Sequence, residues 1–254
     1  MPYIDFQQLV ELEADCESRR EFSWHSAGRS HPGYVREGNE DAFYNATELG
    51  LWAVADGMGG LARGDYASGV VIEAFVHFGK SSTLAQSIRD LEVRLRSAHE
   101  KCRNSFPGER VGSTVAALFS YGAYGFLLWA GDSRVYRLRE DHLTQMTTDH
   151  TVAQEKYARG ELTARQAASH RTAHVLTRAV GVHQTLHLEL DYQAVQQGDR
   201  YLLCSDGLYN DLTRGEIQHY LGLASIEEAL DALVEGALNK KGGDNITAIV
   251  LEAS

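Results

Sequence analysis

Short apolar runs and longer amphipathic stretches alternate along this chain. Runs with strand character lie at about residues 42–45 and 49–55, and they are followed by two helical patterns at about 63–80 and 83–104. In both helical patterns apolar residues recur every three or four positions, as expected for a helix that packs one face against a core. The first half of the chain therefore predicts strands followed by a pair of helices.

The second half predicts the same order, with more strands before the helices. Six strand-like segments share an apolar or alternating character and lie at about residues 113–120, 124–130, 135–139, 142–146, 186–192 and 200–204. Two helices then begin at Thr213 and Ser225, each with a Glu three residues later, the pattern of a helix-capping box. Thr163 with Gln166 shows the same pattern, and Glu140-Asp141 indicates a hairpin turn between the segments at 135–139 and 142–146. A last strand is predicted at 246–251.

This order of elements indicates the fold class. Helices come in consecutive pairs instead of alternating with strands, which argues against a doubly wound parallel sheet. It favours an α+β fold in which antiparallel sheets carry helices on their outer faces. We expect residues 1–22 to form an N-terminal extension and residues 23–254 to form one domain, with a polar insertion at about 149–180.

Composition and charge narrow the possible functions. The chain has 254 residues, of which 43% are hydrophobic and 23% charged, with a net charge of −11. An acidic chain of this kind repels nucleic acid and anionic membranes. The uncharged segment at 111–131 is long enough to suggest a membrane helix, but the turn-forming residues at 121–125 favour two strands instead.

The cysteines and the first residues indicate the compartment. Cys16, Cys102 and Cys204 lie far apart and form no Cys-x-x-Cys pair. Isolated cysteines are typical of reduced thiols in a cytoplasmic protein. The first twenty residues lack the basic-then-apolar order of a signal peptide. The sequence therefore predicts a cytoplasmic protein without a membrane span.

Aspartates follow apolar strands at several positions. Asp56 comes directly after the strand at 49–55, while Asp132 and Asp206 each follow a strand after one further residue. Asp244 precedes the last strand. Aspartate is depleted inside strands, so carboxylates at these strand ends are well placed to be held rigidly. Each aspartate alone would more often open a turn.

Four carboxylates brought together would repel one another, and divalent cations would supply the missing positive charge. Sites made only of oxygen ligands suit Mg²⁺ or Mn²⁺ rather than Zn²⁺. The sequence therefore predicts a site for one of these hard cations. The alternative is that each of the four aspartates opens an unrelated turn. The local motifs around these aspartates form an ordered set, which argues against that alternative.

That ordered set resembles a known family. The motifs are Arg36-Glu37-Gly38-Asn39-Glu40-Asp41, Val54-Ala55-Asp56-Gly57-Met58-Gly59-Gly60, Gly112-Ser113-Thr114, Gly131-Asp132-Ser133-Arg134, Leu176-Thr177-Arg178-Ala179-Val180-Gly181, Ser205-Asp206-Gly207-Leu208 and Gly243-Asp244-Asn245-Ile246-Thr247. In this order and spacing they resemble the metal-dependent (PPM) protein phosphatases, also called protein phosphatase 2C-like, in their bacterial form. The resemblance covers about residues 26–252.

The resemblance implies a fold and a set of metal ligands. The fold would be two packed antiparallel sheets flanked by pairs of antiparallel helices, in four layers. Asp56 would bridge two Mn²⁺ or Mg²⁺ ions, and the carbonyl of Gly57 would complete the coordination of one of them. Asp206 and Asp244 would hold the other ion. Asp132 would hold a third, weaker ion, shared with Asp206.

Three further roles follow from the resemblance. Glu40 would reach a metal through water, with Asp41 supporting it. Arg36 would bind the substrate phosphate, because a guanidinium matches phosphate oxygens in a bidentate manner. The alternative for Arg36 is a surface salt bridge with Glu37 or Glu40.

The implied activity is one-step hydrolysis of phosphoserine and phosphothreonine in proteins. A hydroxide bridging two metals would attack phosphorus, with Arg36, Asp56 and Asp206 as the catalytic residues. The substrates would be phosphorylated targets of a Ser/Thr kinase, and the protein would act as a monomer. Met58 occupies the place where eukaryotic relatives often carry a His, which leaves the proton donor open, with a metal-bound water as one candidate.

The sequence also allows two other function classes, a catalytically inactive relative that binds partners and a phosphohydrolase of small molecules.

In related phosphatases the insertion at 149–180 is a flap beside the metal cleft, whereas the alternative is an ordinary pair of surface helices. His170 and His174 in this insertion have i,i+4 spacing, which could suit zinc, but no third ligand lies nearby in the sequence. We expect both to be surface residues.

Overall fold

The computed structural model describes residues 6–18, 21–58 and 63–254. The strands are β1 (Trp24–His31), β2 (Asp41–Ala46), β3 (Leu51–Met58), β4 (Gly112–Ser113), β5 (Val115–Tyr121), β6 (Tyr124–Ala130), β7 (Arg134–Arg139), β8 (His142–Gln145), β9 (Glu189–Ala194), β10 (Arg200–Cys204) and β11 (Ile246–Ala253). The helices are α1 (Phe6–Ser18), α2 (Gly64–Val76), α3 (Leu84–Ser105), α4 (Val152–Ala158), α5 (Ala164–Ala168), α6 (Asp206–Tyr209), α7 (Arg214–Leu221) and α8 (Ile226–Lys240), with a 3₁₀ turn at Thr47–Leu49.

The strands form two antiparallel sheets. One sheet has the order β1-β11-β10-β7-β8, and the other has the order β2-β3-β5-β6-β9 with β4 paired to β3. Helices α2 and α3 pack on the outer face of the second sheet, and α7 and α8 pack on the outer face of the first. The predicted α+β sandwich with helices outside is therefore confirmed.

The core between the two sheets contains large aromatic side chains. Trp52 and Trp129 are almost completely buried there, as expected from their apolar strands. The ring of Trp24 lies 5.1 Å from that of Trp52 and completes this layer. Along β3, Trp52 and Val54 face this inter-sheet core while Ala53 faces α2 and α3. Burial on both faces explains why the strand before Asp56 reads as an unbroken apolar run.

Several local signals in the sequence are confirmed. The side chains of Thr163 and Thr213 each form a complete capping box at the start of α5 and α7. The turn between β7 and β8 lies at Glu140 and Asp141, both of which have positive φ, as a tight hairpin turn requires. Such signals are reliable because the interacting groups lie only a few residues apart.

Other elements differ from the prediction. Strand β1 was not predicted because it is an edge strand, and most of its polar side chains are partly exposed. The strand predicted at 186–192 begins instead at Glu189 and extends to Ala194. The side chain of Leu186 is buried under the helices although its backbone is outside the sheet. The apolar pattern at Leu186 therefore reflects burial of its side chain, and not pairing of its backbone within the sheet.

The uncharged segment at 111–131 forms β4, β5 and β6, with Gly122 at the β5–β6 turn in positive φ. Among the described residues, no helix has the length and apolar character needed to cross a bilayer. In the N-terminal extension, α1 packs against α3, and a carboxylate oxygen of Glu13 accepts a hydrogen bond from the backbone N–H of Leu84, the first residue of α3.

Candidate metal centre

The ends of several strands meet at one edge of the sandwich and line a single cleft of about 730 Å³. The residues for which a metal or phosphate role was expected and which line this cleft are Arg36, Glu40, Asp56, Gly57, Asp132, Asp206 and Asp244. They come from the loop between β1 and β2, the end of β3, the turn after β6, the first turn of α6 and the loop before β11. The fold therefore brings together side chains that are up to 208 positions apart in the sequence.

Thr114 and Ser113 hold the backbone of Asp56 in place. The N–H of Asp56 donates to Oγ1 of Thr114 at 2.9 Å, and the carbonyl of Asp56 accepts from the N–H of Thr114 at 2.9 Å. The same carbonyl accepts from Oγ of Ser113 at 3.0 Å. The Gly-Ser-Thr motif at 112–114 therefore fixes the central carboxylate of the cleft.

Gly57 and Gly207 follow two of the aspartates because backbone passes very close to them. A Cβ on Gly57 would lie 2.0 Å from the carbonyl oxygen of Gly64, and a Cβ on Gly207 would lie 2.1 Å from that of Asn245. Neither glycine has positive φ. Close backbone approach, and not a special φ, is therefore the reason for glycine at both positions.

Arg36 lies at the rim of the cleft and binds Asp244. Its Nε donates to Oδ1 at 2.8 Å and its Nη2 donates to Oδ2 at 2.7 Å. Its partner is thus an expected metal ligand, and neither Glu37 nor Glu40, the two alternatives from the sequence, is bonded to it. The guanidinium presents the two-pronged geometry that also fits phosphate oxygens.

Glu40 and Asp41 occupy different depths of the site. Glu40 lines the cleft, and its carboxylate accepts a hydrogen bond from the N–H of Gly64 at 3.2 Å. Asp41 lies behind the cleft surface, opposite Asp56 in the pairing of β2 with β3. Its carboxylate accepts from Oγ of Ser205 at 2.7 Å, next to Asp206. This position agrees with the supporting role expected for Asp41.

Burial and mutual repulsion shift the ionisation of these carboxylates. Burial, together with the charges of Asp206 and Asp149, raises the pKa of Asp132 to about 7. Burial also raises the pKa of Asp41 to about 7, against hydrogen bonds that lower it, and raises the pKa of Asp56 well above its ordinary value. Without added positive charge, the folded protein therefore resists full ionisation of the cluster.

The donor set fits hard divalent cations. The cleft offers carboxylate oxygens and, at Gly57, a backbone carbonyl, which are ligands that Mg²⁺ and Mn²⁺ prefer. Asp132 is 5% exposed, and no other residue in the described ranges donates a hydrogen bond to its carboxylate. A buried carboxylate without such a donor requires a positive partner. Asp56, Gly57, Asp206, Asp244, Asp132 and Glu40 are the residues that would hold the ions, directly or through water.

His174 is exposed, as expected, but it lies at the mouth of the cleft, a position that its sequence context does not indicate. Ligand atoms of His174, Asp132 and Asp206 all lie within 4.8 Å of one another. The charges of Asp206 and Asp132 and contact with Asp206 raise the pKa of His174. Its i,i+4 partner in the sequence, His170, bonds Thr172 instead. The i,i+4 spacing of His170 and His174 was thus misleading, because the neighbours of His174 in the cleft are Asp132 and Asp206, which are distant in sequence.

His150, also missed, supports the turn that carries Asp132. The ring Nδ1 of His150 accepts a hydrogen bond from the backbone N–H of Gly131 at 3.2 Å, and the backbone N–H of His150 donates to the Gly131 carbonyl at 2.9 Å. Because Nδ1 is an acceptor, the proton lies on Nε2, which donates to Glu189 at 2.6 Å. Gly131 has positive φ, and a Cβ there would lie 2.6 Å from Thr114. The turn before Asp132 is therefore held from both sides.

The chain is similar in sequence and fold to known proteins. The sequence profile of the family described as "Protein phosphatase 2C" matches residues 27–241. The serine/threonine protein phosphatase PstP of Mycobacterium tuberculosis H37Rv is 35% identical over 230 residues, which are 89% of this chain and 44% of PstP. This chain thus spans less than half of that relative. The serine/threonine phosphatase stp of Listeria innocua is 29% identical over 90% of this chain and 95% of its own length.

Solved structures show the same similarity. PppA, described as a key regulatory component of T6SS in Pseudomonas aeruginosa, superposes with a TM-score of 0.85 at 38% identity, covering 92% of this chain and 99% of PppA. The catalytic domain of PstP, solved in complex with two manganese ions, has a TM-score of 0.80 at 33% identity, covering 91% of this chain and 99% of that one.

A substitution at Gly207 tests whether close backbone approach sets the site. In Gly207→Ala the new Cβ would collide with the carbonyl of Asn245 and push Asp206 away from Asp244. Because loss of supporting contacts around metal ligands costs 10–100-fold in affinity, we expect Mn²⁺ binding measured by calorimetry to weaken at least about tenfold. The matched control is Gly215→Ala in α7, where a Cβ meets no atom within 4 Å. Equal affinity in the two variants would contradict this account.

The raised pKa of Asp132 predicts how the metal-free protein responds to pH. Its folded-state pKa of about 7 exceeds the unfolded value of 3.8, so the folded state binds the proton more tightly. The free energy of unfolding should therefore fall as pH rises from about 4 to about 7, by up to about 4 kcal/mol for this group.

We expect urea unfolding in the presence of EDTA to show this fall between pH 5 and pH 8. Asp132→Asn, which has no proton to lose, should show a smaller fall than the wild type. Saturating Mn²⁺ should reduce the difference, because bound cations stabilise the ionised carboxylates. A metal-free wild type whose stability is flat or rises over this range would count against the proposed electrostatics.

Proposed function

Because this chain belongs to the protein phosphatase 2C family, we propose that it is a Mn²⁺- or Mg²⁺-dependent protein phosphatase that hydrolyses phosphoserine and phosphothreonine. The observation that carries the proposal is the convergence of Asp56, Asp132, Asp206 and Asp244 in one cleft, with a bidentate arginine at its rim. Relatives named as serine/threonine phosphatases and a neighbour that holds two manganese ions support it.

The site argues against a catalytically inactive binding module. Burying carboxylates beside one another costs stability unless cations neutralise them. The chain keeps the half-buried Asp56 and the buried Asp132 together with Gly57 and Gly207, which let backbone pass close to these aspartates. A protein that only bound partners would gain nothing from this arrangement.

The residues of the cleft have separate tasks in the proposed hydrolysis. Bound cations would lower the pKa of water and neutralise charge on the phosphoryl oxygens. Asp56, Asp206 and Asp244 would hold those cations. Arg36, which donates two hydrogen bonds to Asp244, carries the pair of N–H donors that would bind the phosphate oxygens.

The side chain at position 58 cannot donate a proton to the leaving alkoxide. Met58 lines the cleft but carries no exchangeable proton. We propose that water in the open cleft protonates the leaving group. Aryl phosphates, whose leaving groups need little protonation, should then be good substrates.

Residues 149–180 are proposed to act as a flap that influences substrate choice. His174 and Leu176 of this segment line the metal cleft. A second cavity of about 360 Å³ lies between the flap and Tyr209, beside the ion pair of Arg134 with Asp149. This cavity adjoins the cleft at His174 and Asn210, so a substrate side chain next to the phosphorylated residue could enter it.

The proposed setting is the cytoplasm, where the protein would act as a monomer on phosphoproteins and oppose a Ser/Thr kinase. Cys102 and Cys204 are buried and form no disulfide, which suits a reducing compartment. Nucleic acid is not a proposed partner, because the net charge is −11.

The direct test of the proposal compares Asp206→Asn with the wild type. Loss of supporting contacts alone costs 10–100-fold, so loss of a ligand charge should reduce Mn²⁺-dependent hydrolysis of p-nitrophenyl phosphate and of a phosphothreonine peptide by at least about a hundredfold. Asp231→Asn is the control, because Asp231 is exposed and pairs only with Arg29 on the surface.

Three results would contradict the proposal: a wild type that does not respond to EDTA, an Asp206→Asn variant as active as the wild type, or hydrolysis of small phosphoesters that a phosphopeptide does not inhibit. The last result would indicate a small-molecule phosphohydrolase in place of a protein phosphatase.

Arg36 provides a second test. Hydrogen bonds to charged groups contribute about 1.5–3 kcal/mol, so Arg36→Ala should lower kcat/KM for phosphopeptides about 10–100-fold. Arg36→Lys should not restore it, because an ammonium lacks the planar fork. Arg29→Ala, which removes an exposed surface pair, should leave kinetics unchanged. Full rescue by lysine would show that only the charge of residue 36 matters.

A further inference from the structure

We propose that His174 of the flap supplies a nitrogen ligand to a cation held by Asp132 and Asp206, so that the flap is itself part of the metal centre. The proposal rests on the proposed function, since it assumes that the cleft holds divalent cations. It adds a residue and a ligand chemistry that differ from the all-oxygen set predicted by the sequence.

The geometry of the three side chains supports shared coordination. The ligand atoms of His174, Asp132 and Asp206 lie within 4.8 Å of one another, and Nδ1 of His174 is 3.7 Å from Oδ2 of Asp206. Two ligands about 2.1 Å from one ion are at most about 4.2 Å apart. Adjacent ligands of one octahedral ion lie about 3 Å apart, so the 3.7 Å separation of Nδ1 and Oδ2 has to close by about 0.7 Å, and a separation of 4.8 Å by about 1.8 Å.

The remaining partners of these side chains leave room for an ion. Asp132 is 5% exposed, and its carboxylate receives no hydrogen bond from any other residue in the described ranges. Asp206 receives one such bond, from Nδ2 of Asn210 at 3.1 Å. The imidazole of His174 makes no further hydrogen bond within the same part of the chain and is 64% exposed at the mouth of the cleft.

His174 and Asp132 are positioned by the same residue, His150. The carbonyl of His150 accepts a hydrogen bond from the N–H of Thr177 at 2.8 Å, three residues after His174. The ring Nδ1 and the backbone N–H of His150 bind the N–H and the carbonyl of Gly131, the residue directly before Asp132. The histidine ligand of the flap and the buried aspartate are thus attached to one common support, which presets their separation.

A nitrogen ligand changes which ion the site prefers. Carboxylates alone suit Mg²⁺, whereas imidazole favours transition metals, and affinity rises from Mn²⁺ toward the later ones. The ion between His174, Asp132 and Asp206 should therefore be Mn²⁺ or another transition metal in preference to Mg²⁺. Binding that ion would also tie the flap to the cleft, because His174 is the flap side chain that touches Asp206.

Pulsed electron paramagnetic resonance of the Mn²⁺-loaded full chain tests this directly. A directly bound imidazole nitrogen gives a ¹⁴N modulation in the Mn²⁺ signal. His174 is the only histidine that lines the described cleft, so we expect this modulation in the wild type and in the control His170→Gln, but not in His174→Gln. Calorimetry should show one Mn²⁺ fewer, or about a tenfold weaker last site, in His174→Gln.

Hydrogen exchange provides a second readout. Mn²⁺ should slow the exchange of backbone amides at residues 170–176 in the wild type and in His170→Gln, but not in His174→Gln. Mn²⁺-dependent phosphatase activity without a ¹⁴N modulation, or with an unchanged modulation in His174→Gln, would overturn the role of His174 and leave the proposed function standing. A wild type that binds no Mn²⁺ would overturn both.

Discussion

The structure depends on the repulsion between carboxylates that the fold forces together. Asp132 is buried, Asp56 is half-buried beside it, Asp41 lies behind the cleft surface, and Asp206 and Asp244 face them across the cleft. Loss of solvation and neighbouring charges raise the pKa of Asp41, Asp56 and Asp132, so folding stores an unfavourable interaction that divalent cations can relieve. The same interaction that weakens the metal-free protein is what gives the cleft its affinity for metal.

The sandwich keeps these groups from moving apart. Strand β3 is buried on both faces, by the inter-sheet tryptophan layer on one side and by α2 and α3 on the other. Thr114 holds the backbone of Asp56, and Gly57 and Gly207 allow backbone to pass within distances that no side chain would permit. Asp56 lies at the end of the well-packed strand β3, whereas Arg36, Asp244 and the flap at 149–180 approach the site from more exposed positions.

The sequence predicted the parts of this arrangement that are encoded locally. Aspartates after apolar strands, capping boxes at Thr163 and Thr213 and the Glu140-Asp141 hairpin all depend on residues a few positions apart. Strand β1 was missed because an edge strand needs no continuous apolar run. His150 and His174 were missed because their partners, Gly131 and Asp206, lie 19 and 32 positions away, and no spacing rule connects them. The sequence thus identified residues that line the cleft and missed the contacts that position them.

The central claim is that the clustered carboxylates form one cation-binding centre. Crystals grown with Mn²⁺ and measured at the manganese absorption edge would test it most directly, because anomalous scattering locates the ions without reference to activity. The account predicts anomalous peaks inside the cleft, in contact with the carboxylates of Asp56, Asp206 and Asp244. A cleft without peaks at millimolar Mn²⁺, or peaks found only elsewhere on the surface, would contradict it.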